Sequence, residues 1–433
     1  MKIVHAADLH IDSPLLGLSR YESAPVDRLR GATRRAFENL IELCLEEQAA
    51  VLLIAGDVFD GDWRDYSTGL FFAAQLSRLR QAGVRVVLAA GNHDAQSHIT
   101  RELRLPENVR VLSTRKPESV LFEDIGVAVH GQGFPQRDVT EDLAASYPLA
   151  VRGLLNVGLL HTALGGGRFG HATYAPTSLE VLRSRGYDYW ALGHIHTREV
   201  VSLEPLTIFP GNLQGRHAYE TGEKGATVLT VSDGRVVEHR HQPLDTVRWV
   251  RCRVDVTDAM SGDDVVQLAR KSLSEAAAQA DGRLLAARIE LVGATRAHAA
   301  LLRAPEHWTA ELRAMSLDLG QGDVWLERVK LETMAREASL AGFDLAVRED
   351  ALGQLVAQIE SLTDDPSVLA PLAARFTDLK KKLPAQLTEG EEAAAGVPRD
   401  RPLLRIDEVD YIASILPEVK ELLLARLGEG EGS

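Results

Sequence analysis

Five apolar runs in this chain stop on oxygen or imidazole donors where ordinary turn residues are expected. KIVHAAD leads into Asp8-Leu9-His10, AVLLIAGD into Gly56-Asp57-Val58-Phe59-Asp60, and VRVVLAAGN into Gly91-Asn92-His93-Asp94. LLNVGLLHT carries His161, and YDYWALGHIH ends in Gly193-His194-Ile195-His196. These runs read as strands, and helical patterns over 28–47 and 67–82 separate the first three, so the fold class is α/β. The further runs GVAVHGQGF, LTIFPGN and GATVLTVSD have fewer helices between them and predict a second sheet. The expected core is a two-sheet β-sandwich flanked by helices, with its chemistry at the carboxyl ends of strands.

The pattern changes after residue 245. RWVRCRVDV, a helical stretch, LLAARIELVG, a helix over 306–316 and DVWLERVKLE predict a small β-α-β-α-β capping domain over 246–334. Its 12 basic and 13 acidic residues form no charge run. A helical extension over 335–387, a polar linker over 388–402 and a C-terminal amphipathic helix with tail over 403–433 complete the reading. Pro417 is expected to interrupt that last helix, since proline lacks the N–H that the helical ladder needs.

The donors at the five run ends are Asp8, His10, Asp57, Asn92, His161, His194 and His196. This mixture of carboxylate, amide and imidazole without thiolate suits manganese, iron or zinc better than calcium. In an extended segment, residues two apart share a side, which predicts that strand pleating makes 8 converge with 10 and 194 with 196. One bridging carboxylate would allow two ions about 3.5–4 Å apart, the arrangement for phosphoester hydrolysis.

Taken in order, DLH, GDVFD, GNHD, the lone His161 and GHIH resemble the calcineurin-like metallophosphoesterase superfamily over roughly residues 1 to 225. The resemblance implies two divalent metal ions, most often Mn2+, with Fe2+, Zn2+ or Mg2+ as alternatives. One would be held by Asp8, His10 and His196, the other by Asn92, His161 and His194, with Asp57 bridging. It implies His93 as the catalytic histidine, with Asp60 as the group that orients it or as a plain turn residue. HAADLHIDSPLLGL and FPGNLQGRH further resemble the bacterial DNA-repair exonuclease group, the SbcD-like and YhaO-like nucleases. That implies DNA as substrate, a capping domain that contacts it, an SMC-like coiled-coil ATPase partner gripped by C-terminal helices, and a homodimer. Asp60-Gly61 and Asp94 stand where protein serine/threonine phosphatases have other residues.

Composition enters against this background. The chain has 48 basic and 62 acidic residues, a net charge of -14, which argues against nucleic acid unless local fields or bound metal reverse the sign at the site. No run approaches a membrane span, and Asp8 and His10 come before any signal-peptide core, so a cytoplasmic protein without membrane contact is expected. Cys44 and Cys252 lack disulfide or metal spacing and are read as packing residues. Arg216 and His217, and Arg168 and His171 in GGGRFGH, are candidates for holding substrate phosphate. The alternatives are a surface ion pair for Arg216 and a plain flexible loop for GGGRFGH. His5 and His130 are expected in the core, and Asp12 as a cap. Beside the metal-dependent DNA nuclease stand two other readings: a small-molecule phosphodiesterase or phosphomonoesterase, and a non-catalytic DNA-binding scaffold.

Overall fold

A computed structural model describes residues 1–13, 25–60, 66–96, 103–165, 174–320, 322–336, 351–364, 366–383 and 404–427. Twelve strands build two six-stranded sheets. They are β1 (Lys2–Ala6), β2 (Val51–Ala55), β3 (Arg85–Ala89), β4 (Val109–Val111), β5 (Glu118–Phe122), β6 (Val127–Gly131), β7 (Leu155–His161), β8 (Tyr189–Gly193), β9 (Glu199–Leu203), β10 (Leu206–Phe209), β11 (Gly225–Ser232) and β12 (Arg235–Pro243). The first sheet runs β12-β11-β1-β2-β3-β4 and the second β5-β6-β7-β8-β10-β9. Within the first, β1 to β4 are parallel, while β11 and β12 run antiparallel. Within the second, β6, β7, β8 and β10 are parallel and the two edges antiparallel.

Period-two alternation explains why the runs read as continuously apolar. In β2, Val51, Leu53 and Ala55 face a core shared with Val157, Leu159 and Ala191 of the second sheet. The intervening Leu52 and Ile54 join Phe37, Leu40, Phe72 and Leu76, from the helices Ala32–Glu46 and Tyr66–Gln81, on the other face. Likewise Trp190 and Leu192 of β8 turn outward onto Tyr147 and Leu160. The central strands of both sheets are covered on both faces and need no polar stripe, whereas the edge strands β5 and β12 are partly exposed. His5 and His130 lie in this buried framework, His5 bonded to the Tyr189 hydroxyl and His130 to Ser119 and Asn156.

The chain divides into two compact units, Met1–Val250 with Gly282–Ala286, and Arg251–Asp281 with Ala287–Ser433. A three-stranded sheet is formed by β13 (Val247–Asp255), β14 (Leu284–Thr295) and β15 (Val324–Ala335) in that order. The helix Gly262–Ala278 starts on a capping box in which Ser261 and Asp264 satisfy each other's backbone N–H groups. The sequence predicts one helix between β14 and β15; the structure has two, His298–Arg303 and Pro305–Gly320. Pro305 opens the second, a position where its missing N–H costs nothing.

The final helix corrects another expectation. Val409–Leu427 runs through Pro417 without a break. Ile412 and Leu416 close a cluster with Ile359, Leu369 and Ala373, which offsets the one missing backbone bond. His298 Nε2 also meets Glu421 at 3.2 Å, and Arg303 donates to the Ala425 carbonyl at 3.0 Å. The linker expected at 388–402 lies outside the described residues. Cys44 and Cys252 are free and buried.

Candidate metal centre

Asp8, His10, Asp57, Asn92, His161 and His194 are all buried, each at or just beyond the carboxyl end of a parallel strand. The pleat does not make them converge as the sequence suggests. β1 ends at Ala6 and β8 at Gly193, and the donors follow on left-handed backbone, with φ of 52° at Asp8, 42° at His10, 52° at Asp57 and 103° at His194. Such conformations cost non-glycine residues about 1–3 kcal/mol each and persist where the surroundings impose them. Backbone bonds from Asp8 N–H to Gly56 O and from His10 N–H to Asp57 O, both 3.0 Å, do so here. Glycine is needed at Gly193, where a Cβ would strike the Ala55 carbonyl, and at Gly91, where it would strike the Asp57 carboxylate. Gly193 therefore lets the two sheets approach at the site, and Gly91 lets the segments after β2 and β3 close on each other.

Two nests of donor atoms result, Asp8 with His10 and His196, and Asp8 with Asp57 and His161. In the first, His196 donates from Nδ1 to Glu220 at 2.7 Å, so its Nε2 presents a lone pair 3.3 Å from His10 Nε2 and 3.9 Å from Asp8 Oδ1. In the second, His161 donates from Nδ1 to the Ala55 carbonyl at 3.0 Å. Its Nε2 lone pair faces Asn92 Oδ1 at 2.9 Å and Asp57 Oδ2 at 3.5 Å. In the second nest acceptors face acceptors at distances that repel unless a cation lies among them, and the first gathers a carboxylate and two imidazoles, so the residues present fit divalent ions. Asp57 Oδ1 accepts from the His93 backbone at 2.9 Å, while Oδ2 lies 4.0 Å from His10 Nε2, and Asp8 is the residue common to both nests. The backbone N–H of His194 donates to both Asp8 oxygens, and its ring lies edge-on to His161 and Tyr174.

The electrostatics agree with this chemistry. Burial pushes His10, His161 and His196 below the usual imidazole range, which keeps them neutral and able to ligate. Burial and the neighbouring Asp57 raise Asp8, whereas Asp57 is held low by His161, His93 and His10 against its own burial. His93 moves the other way: burial lowers it, but the Asp60 hydrogen bond and the Asp57 charge outweigh that and raise it. His93 Nδ1 lies 3.0 Å from Asp60 Oδ1, and the same oxygen stands 3.3 Å from His10 Nδ1.

Arg216 lies beside this site, not on an open surface. It is 3.4 Å from Asp60 Oδ2 and 3.1 Å from Glu220 Oε1, and His217 Nε2 is 3.6 Å from Glu220. Arg168 and His171 lie outside the described residues. Asp12, read as a cap, accepts from Arg34 and Thr68.

Sequence reading assigns no role to two buried acids. Asp94 accepts from the N–H groups of Val58, Phe59 and Gly91, tying two site loops together, and burial with the nearby Asp57 raises it to about 7. Glu220 follows no strand end and carries no motif spacing, so only the fold reveals it.

Comparisons with known proteins accord with the fold. The calcineurin-like phosphoesterase family model matches residues 1–198, and that of the metallophosphoesterase YhaO middle domain matches residues 249–334. The uncharacterized metallophosphoesterase YhaO of Bacillus subtilis is 34% identical over 351 residues, 79% of this chain and 84% of that protein. The DNA double-strand break repair protein Mre11 of Methanopyrus kandleri is 29% identical over 216 residues, 45% of this chain and 44% of its own. A component chain of the SbcCD nuclease of Rhodobacter capsulatus is 38% identical over 112 residues, 25% and 24% of the two chains. The two-sheet sandwich with donors at its strand ends thus defines a calcineurin-like metallophosphoesterase, a class of hydrolases built around divalent metal. Within that class, the chain belongs to the YhaO-like family.

Proposed function

We propose that this chain is a metal-dependent DNA nuclease that hydrolyses phosphodiester bonds at a two-ion site. The observation that carries the reading is the pair of donor-atom nests, with Asp57 Oδ2 4.0 Å from His10 of one and 3.5 Å from His161 of the other and the His93–Asp60 pair beside them. Asp8, His10 and His196 would hold one ion, Asn92, His161 and His194 the other, with Asp57 shared and manganese the ion used. Such a pair, when bound, activates water and screens the charge of the phosphoryl oxygens.

The chain's own residues do the rest. Asp60 fixes His93 through Nδ1 and, with Asp57, favours its protonated form, leaving the Nε2 proton for the departing oxygen. Arg216, and His217 beside it, supply positive charge for the substrate phosphate, a role assigned also to Arg168 and His171. Support for DNA comes from relatives named as a DNA break-repair protein and as part of a nuclease. The second name supports assembly with a partner chain, for which we take an SMC-like ATPase, the nuclease itself acting as a homodimer in the cytoplasm. No described helix is long and apolar enough to cross a membrane.

The net charge of -14 favours a second reading, a small-molecule phosphodiesterase or phosphomonoesterase. Purified wild type and His93→Ala, assayed on labelled linear and hairpin DNA beside bis-p-nitrophenyl phosphate, with manganese, magnesium or chelator, separate the two. Manganese-dependent DNA cleavage that disappears in the variant supports the nuclease. Cleavage of the small ester alone, with DNA untouched, overturns it in favour of the second reading.

A further inference from the structure

Glu220 is a buried carboxylate approached only by donors. Its Oε1 accepts from His196 Nδ1 at 2.7 Å and from Arg216 Nη2 at 3.1 Å. Its Oε2 accepts from the Arg216 backbone N–H at 2.7 Å and from Asn212 Nδ2 at 2.9 Å. Arg216 extends the network, Nη1 reaching Asp60 Oδ2 at 3.4 Å, and Asp60 Oδ1 meets His93 Nδ1 at 3.0 Å. One carboxylate therefore stands behind a candidate ion ligand on one side and, through Arg216 and Asp60, behind the candidate catalytic histidine on the other.

From this geometry we infer that Glu220 is the positioning residue of the site, fixing the His196 tautomer for ion binding and holding Arg216 against Asp60. The inference rests on the two-ion reading above. An ionised carboxylate only accepts hydrogen bonds, so His196 must carry its proton on Nδ1 and keep the Nε2 lone pair for the ion. It also confines the guanidinium, whose fork otherwise has several ways to pair. A glutamine of the same size cannot substitute. Every partner of Glu220 donates, so the amide NH2 would face a donor whichever way it turned, and His196 would lose the charge that favours its Nδ1–H form.

The test uses the full chain as wild type, Glu220→Gln, Glu220→Asp and Arg216→Ala. Three quantities are read: manganese affinity by equilibrium dialysis, the His196 tautomer from long-range 1H–15N spectra of metal-free, histidine-labelled protein, and KM against kcat on bis-p-nitrophenyl phosphate. Glu220→Gln is expected to weaken one of two manganese sites by about 10–100-fold, the usual effect of losing such an outer partner. It should also shift His196 toward the Nε2–H form, whereas Arg216→Ala should raise KM and leave both ion affinities in place. Wild-type manganese affinity together with an unshifted tautomer in Glu220→Gln would overturn the inference. If that variant does not fold, Glu220→Asp, which keeps the charge but shortens the reach by one methylene, decides the matter by the same two criteria. Absence of manganese binding in the wild type would instead remove the two-ion reading, and the metal-free tautomer comparison would still decide the role of Glu220.

Discussion

Arg288 and Glu327, in the second compact unit, are both buried and meet through two parallel hydrogen bonds of 2.8 and 3.0 Å. Arg251 and Glu290 repeat the arrangement at 2.9 Å twice. In the first unit Asp8 and Asp57 are equally buried, yet they face imidazole lone pairs and each other's charge. The arginine–glutamate pairs complete their buried charges with their own side chains, whereas the cluster around Asp8 and Asp57 leaves its charges to be completed from outside. Buried charge as such therefore says little about function; what surrounds it decides.

Four measurements test that contrast. The largest effect is expected for His93→Ala, a loss of about 10²–10⁴-fold in metal-supported turnover, the usual size for a removed general acid. Steady-state rates on bis-p-nitrophenyl phosphate check it, and near wild-type turnover would remove His93 from the mechanism. Next, Glu327→Ala removes the carboxylate that two hydrogen bonds tie to the buried Arg288 and should destabilise the second unit by about 3–5 kcal/mol in denaturant unfolding. Asp57→Asn, by contrast, strands no buried guanidinium and should cost the metal-free protein less than Glu327→Ala does. Saturating manganese, at about 100 times its Kd, should stabilise the wild-type first unit by about 2.7 kcal/mol and leave Asp57→Asn unmoved, as read by thermal melts with and without chelator.

The last measurement concerns acid. Burial lowers His5 from 6.5 to about 3, so the unfolded chain binds a proton there that the folded chain does not. Stability from this group is fully present above about 6.5, falls by about 1.4 kcal/mol per pH unit below that, and stops falling near 3. His5→Gln should reduce the slope of unfolding free energy against pH between 6 and 4 by about one proton's worth. An unchanged slope would show that other histidines carry the acid response.

Much of the first unit is legible because its central strands are covered on both faces. AVLLIAGD and VRVVLAAGN read as strands from composition alone, and their polar endings mark Asp57 and Asn92. Strand pleating is the wrong reason for convergence, since Asp8 and His10 come together on left-handed backbone after β1 has ended. Pro417 misleads in a similar way, because local propensity gives way to the packing of Ile412 and Leu416. Glu220 is invisible in the sequence, since Asn212 and Arg216 lie with it between β10 and β11 while His196 comes from the segment between β8 and β9, and neither stretch leaves a periodic signature.

The order and chemical type of the donors, and the alternation of the strands that carry them, are local properties, and the amino-acid sequence suffices to set them. Which lone pairs oppose one another, which acid is completed by an arginine and which is left facing histidine depend on two sheets meeting across Gly193 and on the segments after β2 and β3 closing together at Gly91. Those are relations between residues far apart along the chain, and close approach and burial in the folded protein establish them.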